Sequence, residues 1–270
     1  MKHNDTQSLA KFIRQSVVKM TSHGKSSHVG SCLSIADIMA VLYGEVLNVD
    51  PQDPHMADRD RFILSKGHAG AAVYATLAGV GFFEEEMLDK HYINGSIMSG
   101  HVSHKGINGV EVSTGSLGQG LSIATGMALA SKLDGHTRRV VTVMSDGECD
   151  EGSVWEAAMF ASHFKLNNLL AVIDYNKLQS IHSIEKTMAL EPFEDKWRSF
   201  GWTVKRTDGH DHTALIGAMR QAPENSKPTV IICDTVKGKG VSFMENQVLW
   251  HYRSPDDEER TAALKEIAES

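Results

Sequence analysis

The sequence predicts an α/β fold, a doubly wound and mainly parallel sheet with helices on both faces. Short runs of apolar residues alternate along the chain with longer segments of helical periodicity. The runs lack polar alternation, which is typical of parallel strands that are buried on both faces. The chain has 270 residues, of which 41% are hydrophobic. This length and composition suffice for one large core, so we expect a single domain over residues 1–270.

The first half of the chain is expected to be helical around one strand. Apolar residues recur at helical spacing over residues 8–20, which predicts an amphipathic opening helix. A stretch rich in Gly, Ser and His over residues 23–34 predicts a loop. The apolar run at residues 61–65 predicts the strand. Further helices are predicted over residues 35–44, 69–77 and 84–91.

The second half is expected to alternate between helix and strand. Residues 94–120 are rich in glycine and lack periodicity, and such a long segment in a compact domain indicates a functional loop. Strands alternating with helices favour a parallel sheet whose ligands gather at the carboxyl ends of the strands. The predicted helices span residues 121–133, 154–164, 194–200 and 213–219, and the predicted strands span residues 140–144, 169–174, 202–206 and 229–233.

Composition excludes several classes of protein. The 27 Lys and Arg against 34 Asp and Glu leave a net charge of −7, too acidic for a surface that neutralises nucleic acid. Apolar runs are too short for a membrane span and the first 16 residues lack a secretory core, so we expect neither a nucleic-acid nor a membrane partner. The three cysteines form no CxxC pair, which is typical of a cytoplasmic protein.

Two nucleotide-binding motifs and a zinc site are rejected on spacing. Residues 24–26 end like a P-loop, but Lys19 stands where that motif requires its first glycine. The three glycines within residues 115–120 reverse the order of the dinucleotide fingerprint and follow no clear strand. The 14 histidines include no HExxH pattern and no finger-spaced pairing with cysteine.

Polar side chains follow four of the predicted strands, namely His68, Asp146, Asn176 and Lys237. One strand–helix–strand crossover fits the interval between Asp146 and Asn176, so both side chains are expected at the same edge of the sheet. A carboxylate, an amide oxygen and the following backbone carbonyl of Leu178 are oxygen ligands of the kind that Mg²⁺ prefers. The sequence therefore predicts a magnesium site at Asp146, Asn176 and Leu178.

These residues also have a purely structural interpretation. Asp146 would then cap the helix that begins near residue 153, and Asn176 would close an Asx-turn. Gly147 favours the ligand site, because a glycine permits close approach of a phosphate to the backbone. The positive amino-terminal end of the next helix is expected at the same edge.

A set of longer motifs resembles the transketolase family, in the order in which that family has them. SDGE at residues 145–148 with DYN at residues 174–176 is similar to the family's thiamine diphosphate motif, GDG followed later by Asn. The sequence departs from the family's pattern at Ser145, Val29 and Val102, which leaves the acid and the amide intact. The other matching segments are RDRFILSKGHA (59–69), GHV (100–102), GVEVSTGSLGQGLSIATGMA (109–128) and DEGSVWEA (150–157).

The resemblance implies thiamine diphosphate and Mg²⁺, or another divalent cation such as Ca²⁺ or Mn²⁺, as cofactors. It implies that Glu151 and Glu156 lie near a subunit interface. It assigns the metal to Asp146, Asn176 and the Leu178 carbonyl. It assigns catalytic roles at the sugar to His28, His101 and His251. Cofactor contacts are implied for His68, Gly115, Ser116, Leu117, Gly147, Glu148, Asn176 and His251.

The implied activity is that of a transketolase-type transferase, which moves a two-carbon ketol unit from a ketose phosphate to an aldose. The resemblance covers only the domain that binds the diphosphate. The pyrimidine-binding and carboxyl-terminal domains are expected on a separate partner chain, in a heterotetramer with its sites between unlike subunits. Two alternatives stay open: a noncatalytic scaffold or regulatory relative, and a subunit of another thiamine diphosphate enzyme, such as a deoxyxylulose phosphate synthase or an oxo-acid dehydrogenase. The TGSLGQG segment favours the ketol transferase.

Overall fold

A five-stranded sheet, in which every pair of neighbouring strands is parallel, forms the centre of the chain. The computed structural model describes residues 3, 5–220 and 226–269. The predicted domain bounds also include residues 1, 2, 4, 221–225 and 270, which lie outside the described residues. In spatial order the strands are β1 (Arg61–Leu64), β2 (Val140–Ser145), β3 (Leu169–Tyr175), β5 (Thr229–Asp234) and β4 (Thr203–Asp208).

Helices pack on both faces of this sheet. The long helix α1 begins at an Asp5 cap, whose side chain accepts a hydrogen bond from the Ser8 N–H. The α-helices are α1 (Thr6–Gly24), α2 (Val29–Ser34), α3 (Ala36–Val41), α4 (Gly70–Val80), α5 (Gln119–Leu133), α6 (Gly152–His163), α7 (Ile184–Thr187), α8 (Phe193–Ser199), α9 (His212–Arg220) and α10 (Asp257–Glu269).

Two hydrophobic cores lie on opposite sides of the sheet. Alternate strand residues face opposite cores, so Val141 and Val143 of β2 join the first core and Val140 and Met144 join the second. Helices α1 to α4, α9 and α10 cover the first core, whereas α5, α6 and α8 cover the second. This arrangement confirms the predicted fold class.

The order of strands in the sheet has a topological switch point between β3 and β5. Strands β1, β2 and β3 are neighbours in sequence order, whereas the chain next forms β4 at the far edge and returns to form β5. The segments that follow β3 and β5 therefore leave the sheet side by side. Parallel sheets bind ligands in the crevice at such a point.

The helix α2 corrects one expectation, since residues 23–34 were predicted to be a loop. Its sequence, VGSCLS, has low helix propensity, yet all six residues are buried. Packing therefore stabilises a helix that the local sequence does not favour. The predicted helix at residues 84–91 is a 3₁₀ segment, Glu85–Lys90, and the sequence did not predict α7 or the 3₁₀ segment Val248–His251.

Candidate active site

A cleft of about 270 Å³ opens at the carboxyl-terminal edge of the sheet, at the switch point between β3 and β5. Residues that follow four strands line it: Lys66 and His68 after β1, Asp146 after β2, Asn176 after β3 and Lys237 after β5. The structure therefore brings the four predicted strand ends together. Other walls of the cleft come from His28, His101, Gly115, Leu117, Gly147, Leu178 and His251.

The Asp146 carboxylate is buried in this cleft with one backbone donor on each oxygen. Its Oδ1 accepts a hydrogen bond from the Gly147 N–H at 2.8 Å, and its Oδ2 accepts one from the Lys177 N–H at 2.7 Å. Burial, with a smaller effect from the nearby Asp174 carboxylate, raises the pKa of Asp146 to about 7. A cation bound beside Asp146 would favour the ionised carboxylate and so oppose this effect.

Asn176 forms the Asx-turn of the structural interpretation. Its Oδ1 accepts a hydrogen bond from the Leu178 N–H at 3.0 Å. An amide oxygen has two lone pairs, so the turn leaves one for a cation. The carbonyl oxygen of Leu178 accepts from the Lys237 Nζ at 3.1 Å. Asp146 does not cap α6, because the residue at that helix cap is Glu151.

These groups fit a hard divalent cation. They offer one carboxylate, one amide oxygen and one backbone carbonyl, all of them oxygen donors. Within residues 3, 5–220 and 226–269, no group of three or more His, Cys, Asp or Glu is arranged to hold a metal ion. A cation here would therefore depend on a single carboxylate and neutral oxygens. Mg²⁺ bound with a diphosphate suits such a set, since phosphate and water oxygens complete its octahedron.

Four of the predicted histidines meet in the same cleft. The ring centroids of His68, His101 and His251 lie 5.1, 5.6 and 5.0 Å from the ring centroid of His28. Burial, with nearby positive charges acting in the same direction, lowers the pKa of His28 to about 4 and that of His251 to about 3. Burial also holds the pKa of His68 well below its ordinary value. These three imidazoles are therefore neutral at pH 7, each with one donor and one acceptor nitrogen.

The backbone joins two of these histidine-bearing segments directly. The His28 N–H donates to the His251 carbonyl oxygen at 2.9 Å, and the His28 carbonyl oxygen accepts from the Cys32 N–H at 3.1 Å as α2 begins. His28 itself has a φ of 75°, in the left-handed region. A residue with a side chain is uncommon there, and such strain often occurs at functional sites.

The glycine-rich turn at residues 115–118 forms one wall of the cleft. Gly115 and Leu117 line the cleft, whereas Ser116 is exposed outside it. A Cβ atom at Gly115 would lie only 3.1 Å from the His101 ring. Glycine therefore permits this turn to pack closely against His101.

Glu148, predicted to contact the cofactor, lies beneath the cleft rather than in its wall. Its Oε1 accepts hydrogen bonds from the Ser65 hydroxyl at 2.5 Å and the Gly118 N–H at 3.0 Å. Its Oε2 accepts from the Ser145 N–H at 2.8 Å. The buried carboxylate thus ties the ends of β1 and β2 to the glycine-rich turn, and it supports the cleft from below.

The sequence-based assignment omitted several residues that line the cleft. Lys66 and Lys237 are almost completely buried. Lys237 Nζ lies 2.9 Å from His251 Nδ1, and burial, with the charge of Lys66, lowers the pKa of Lys237 to about 8. Lys237 was recognised at a strand end from the sequence but was given no role in the site, and the same kind of position after β1 is the signal that could have pointed to Lys66. The other omitted residues are Ser31, Ser145, Gln179, Ser180 and Tyr252.

Comparison with known proteins identifies the family. The family described as "Transketolase, thiamine diphosphate binding domain" matches residues 5–268. The chain belongs to the transketolase family. This membership confirms the resemblance seen in the sequence motifs, together with a fold that binds thiamine diphosphate.

Transketolase relatives fall into two groups by length. A 6-deoxy-6-sulfo-D-fructose transketolase subunit from Clostridium sp. is 42% identical over 264 residues, covering 97% of this chain and 96% of the relative. An apulose-4-phosphate transketolase subunit from Phocaeicola vulgatus is 40% identical over 257 residues, covering 95% of this chain and 91% of the relative. Human transketolase is 41% identical over 244 residues, which are 90% of this chain but 38% of the human protein.

Solved transketolases share the fold. A transketolase mutant from Pichia stipitis superposes with a TM-score of 0.90 at 28% identity, covering 97% of this chain and 40% of that one. The transketolase from Campylobacter jejuni gives a TM-score of 0.87 at 27% identity, and the match covers 98% of this chain and 42% of that one. This transketolase chain thus spans less than half the length of the solved enzymes. Among its described residues, no helix is both long and apolar enough to cross a bilayer.

Proposed function

We propose that this chain is the amino-terminal subunit of a cytoplasmic, thiamine diphosphate- and Mg²⁺-dependent transketolase. The enzyme transfers a two-carbon ketol unit from a ketose phosphate to an aldose acceptor, and residues 1–270 form its diphosphate-binding domain. One observation carries the proposal: a set of oxygen ligands and a cluster of four histidines converge on a single cleft, between the ends of β3 and β5.

Residues at the floor of the cleft hold the negative end of the cofactor. Asp146, Asn176 and the Leu178 carbonyl bind Mg²⁺, which binds the diphosphate in turn. Gly147 and His68 contact the diphosphate, and the Lys237 ammonium offsets part of its charge. When bound, thiamine diphosphate supplies a nucleophilic thiazolium carbon and an electron sink, which amino-acid side chains do not provide.

The histidines act at the sugar end of the cleft. His28, His101 and His251 form hydrogen bonds with sugar hydroxyls and move protons as a carbonyl becomes an alcohol. The lowered pKa values of His28 and His251 support this role, because a neutral imidazole both accepts and donates a proton. Both histidines are only partly exposed, so bulk water competes less for these hydrogen bonds.

The enzyme is active only with a partner chain. Full-length transketolases are more than twice as long as this chain, and relatives of matching length are named as subunits. The partner provides the pyrimidine-binding and carboxyl-terminal domains. Two chains of each type form a heterotetramer, with each active site between unlike subunits.

The donor substrate is a ketose with a terminal anionic group. Two relatives support this class, since one is named for a sulfonated fructose and the other for apulose 4-phosphate. Sulfonate and phosphate share a compact anionic tetrahedron. The partner chain contacts this anionic end, whereas the histidines of this chain meet the carbonyl end.

A noncatalytic scaffold is the main alternative. Such a protein would need the sheet and its two cores, but not three further histidine rings within 5.6 Å of the His28 ring. The clustered imidazoles, together with Asp146 and Asn176, therefore favour the enzyme.

The test uses this chain purified with the product of its neighbouring gene. Asp146→Ala should lose Mg²⁺-dependent binding of thiamine diphosphate in calorimetry, because the anionic ligand disappears while the diphosphate stays negative. His28→Ala should keep that binding and lose on the order of 100-fold in ketol transfer. Asp134→Ala, an exposed carboxylate, is the matched control for Asp146→Ala.

Two outcomes would contradict the proposal in different ways. Unchanged cofactor affinity in Asp146→Ala would remove the metal assignment. A complex that binds the cofactor yet transfers no ketol unit to an aldose from any ketose phosphate or sulfonated ketose would favour the noncatalytic scaffold.

A further inference from the structure

A buried carboxylate, Asp174, organises a polar network directly beneath the cleft. Its Oδ2 accepts hydrogen bonds from the Ser34 hydroxyl at 2.6 Å, from the Asn176 Nδ2 at 2.9 Å and from the Lys66 ammonium. Its Oδ1 accepts from the Thr235 hydroxyl. Asp174 and Lys66 are both fully buried. The network therefore joins α2 and the ends of β1, β3 and β5 at one residue that the proposed mechanism does not use.

Asp174 determines which end of the Asn176 amide faces the cleft. An ionised carboxylate only accepts hydrogen bonds, so the group of Asn176 that meets it must be the Nδ2 donor. On the other side, the Leu178 N–H only donates, so it must meet Oδ1. The two contacts agree, and together they hold the amide oxygen on the side away from Asp174.

Lys66 keeps Asp174 from adding a second free negative charge to the site. The Lys66 ammonium pairs with Asp174 and also donates to the Ser31 carbonyl oxygen at 3.1 Å. Within the described residues, no side-chain cation pairs with Asp146 in the same way. The buried pair thus leaves Asp146 as the carboxylate that is available to a ligand.

We propose that Asp174 is a positioning residue of the metal site, and this rests on the proposed function. By accepting the Nδ2–H of Asn176, Asp174 directs Oδ1 of that amide toward the cation held by Asp146. The contact to the metal is made by Asn176, and Asp174 acts through it. Hydrogen-bond partners behind metal ligands commonly change metal affinity by about 10- to 100-fold when they are removed.

An exchange of the two side chains tests this inference. Three variants of the complete complex are compared: Asp174→Asn, Asn176→Asp and the double exchange. The readout is the Mg²⁺ concentration that gives half-maximal thiamine diphosphate binding, with thermal melting without metal as the measure of folding. Asp134→Asn, at an exposed position, is the control.

Each single substitution should raise the required Mg²⁺ concentration at least about tenfold. Asn176→Asp removes the Nδ2 donor and places two carboxylates in contact. Because the Lys66 ammonium donates to the same Oδ2 atom of Asp174, Lys66→Met is added to all three variants, and the Lys66→Met complex is their reference. The double exchange should restore binding to within about threefold of this reference, because the amide at position 174 then donates to the carboxylate at position 176.

The single substitution Asn176→Asp tests the inference by whether it weakens or strengthens the binding of Mg²⁺. A carboxylate binds Mg²⁺ more strongly than a neutral amide, so a ligand positioned without Asp174 would bind Mg²⁺ more tightly after this substitution. Equal or tighter Mg²⁺ binding in Asn176→Asp would overturn the inference. The inference would also be overturned if the loss of binding free energy in the double exchange equalled the sum of the losses in the two single substitutions. A wild-type complex without Mg²⁺-dependent cofactor binding would instead refute the proposed function and remove the basis for this inference.

Discussion

His28 and His251 are neutral in the folded chain mainly because they are withdrawn from water. Burial is the largest cause of their lowered pKa values, and the positive charges of Lys66 and Lys237 act in the same direction. A histidine that stays neutral at pH 7 donates one hydrogen bond and accepts another. The same burial that prepares these side chains for a sugar substrate therefore costs stability when the solution becomes acidic.

This cost predicts a pH dependence of stability in the ligand-free chain. The unfolded chain protonates His28 near pH 6.5, whereas the folded chain protonates it only near pH 4. The unfolded state binds more protons between these values, so the free energy of unfolding falls as the pH is lowered through this window. His28→Gln should reduce this fall by on the order of 1 kcal/mol, a value discounted for the partial exposure of the ring.

Denaturant unfolding at pH 7 and pH 5 measures this effect. His55→Gln, at an exposed turn, is the matched control and should leave the pH dependence unchanged. Equal pH dependence in His28→Gln and the wild type would show that burial does not set the protonation of this ring.

Sequence motifs predicted the side chains that line the cleft better than the buried side chains that hold those residues in place. Asp146, Asn176 and the four histidines were all placed in the site from their neighbours in the sequence, and the structure brings them together. Lys66 and Asp174 were not assigned as a pair, because the ion pair that they form is not visible in the sequence. Their contact joins residues 108 positions apart, and no local pattern encodes such a pair.

At the scale of elements, Glu148 connects three segments that carry the site. Its carboxylate accepts from donors after β1, at the end of β2 and in the glycine-rich turn. Glu148→Ala should lower the free energy of unfolding by about 3 kcal/mol, because the donors of Ser65, Gly118 and Ser145 lose their buried acceptor. Binding of thiamine diphosphate should weaken as well, since the turn at residues 115–118 loses the acceptor for its Gly118 N–H.

Thermal and denaturant unfolding, followed by cofactor titration of the assembled complex, measure both effects. Glu148→Gln should cost less than Glu148→Ala, because its amide oxygen retains one acceptor site. Glu185→Ala, on the exposed face of α7, is the control. If Glu148→Ala lost less than about 1 kcal/mol, the carboxylate would not be the support that its contacts indicate.

The strands and the long helices could be predicted because their patterns are local. Continuous apolar runs predicted β1, β2, β3 and β5 to within one or two residues, since each is buried on both faces. The helix α2 could not be predicted in this way, because its stability comes from burial against the rest of the first core. The segment that carries His251 forms a short 3₁₀ turn held by contacts with α2, so its position also depends on the assembled fold.

An apolar stripe on the last turn of helix α6 and on the residue that follows it stays partly exposed in the described part of the chain. Met159, Phe160 and Phe164 are 53%, 37% and 41% exposed, and the rings of Phe160 and Phe164 lie 4.5 Å apart. Glu156, matched by the resemblance to a residue near a subunit interface, is exposed one turn earlier on the same helix. Contiguous apolar surface of this kind marks protein–protein contacts. We therefore expect this stripe to be covered in the proposed heterotetramer.

Phe160→Lys should weaken this assembly at least about tenfold, because a charged side chain would be desolvated in the interface. Light scattering of the chain across a range of concentrations, with and without the partner, measures association. Met188→Lys replaces a similarly exposed apolar residue away from the stripe, at 59% exposure, and should leave association unchanged. Folding of the isolated chain should be unaffected in both variants, since neither residue belongs to a core. If Phe160→Lys had the same mass distribution as the wild type at every concentration, the contact between subunits would lie elsewhere. The active sites between unlike chains would then have to form at a different surface.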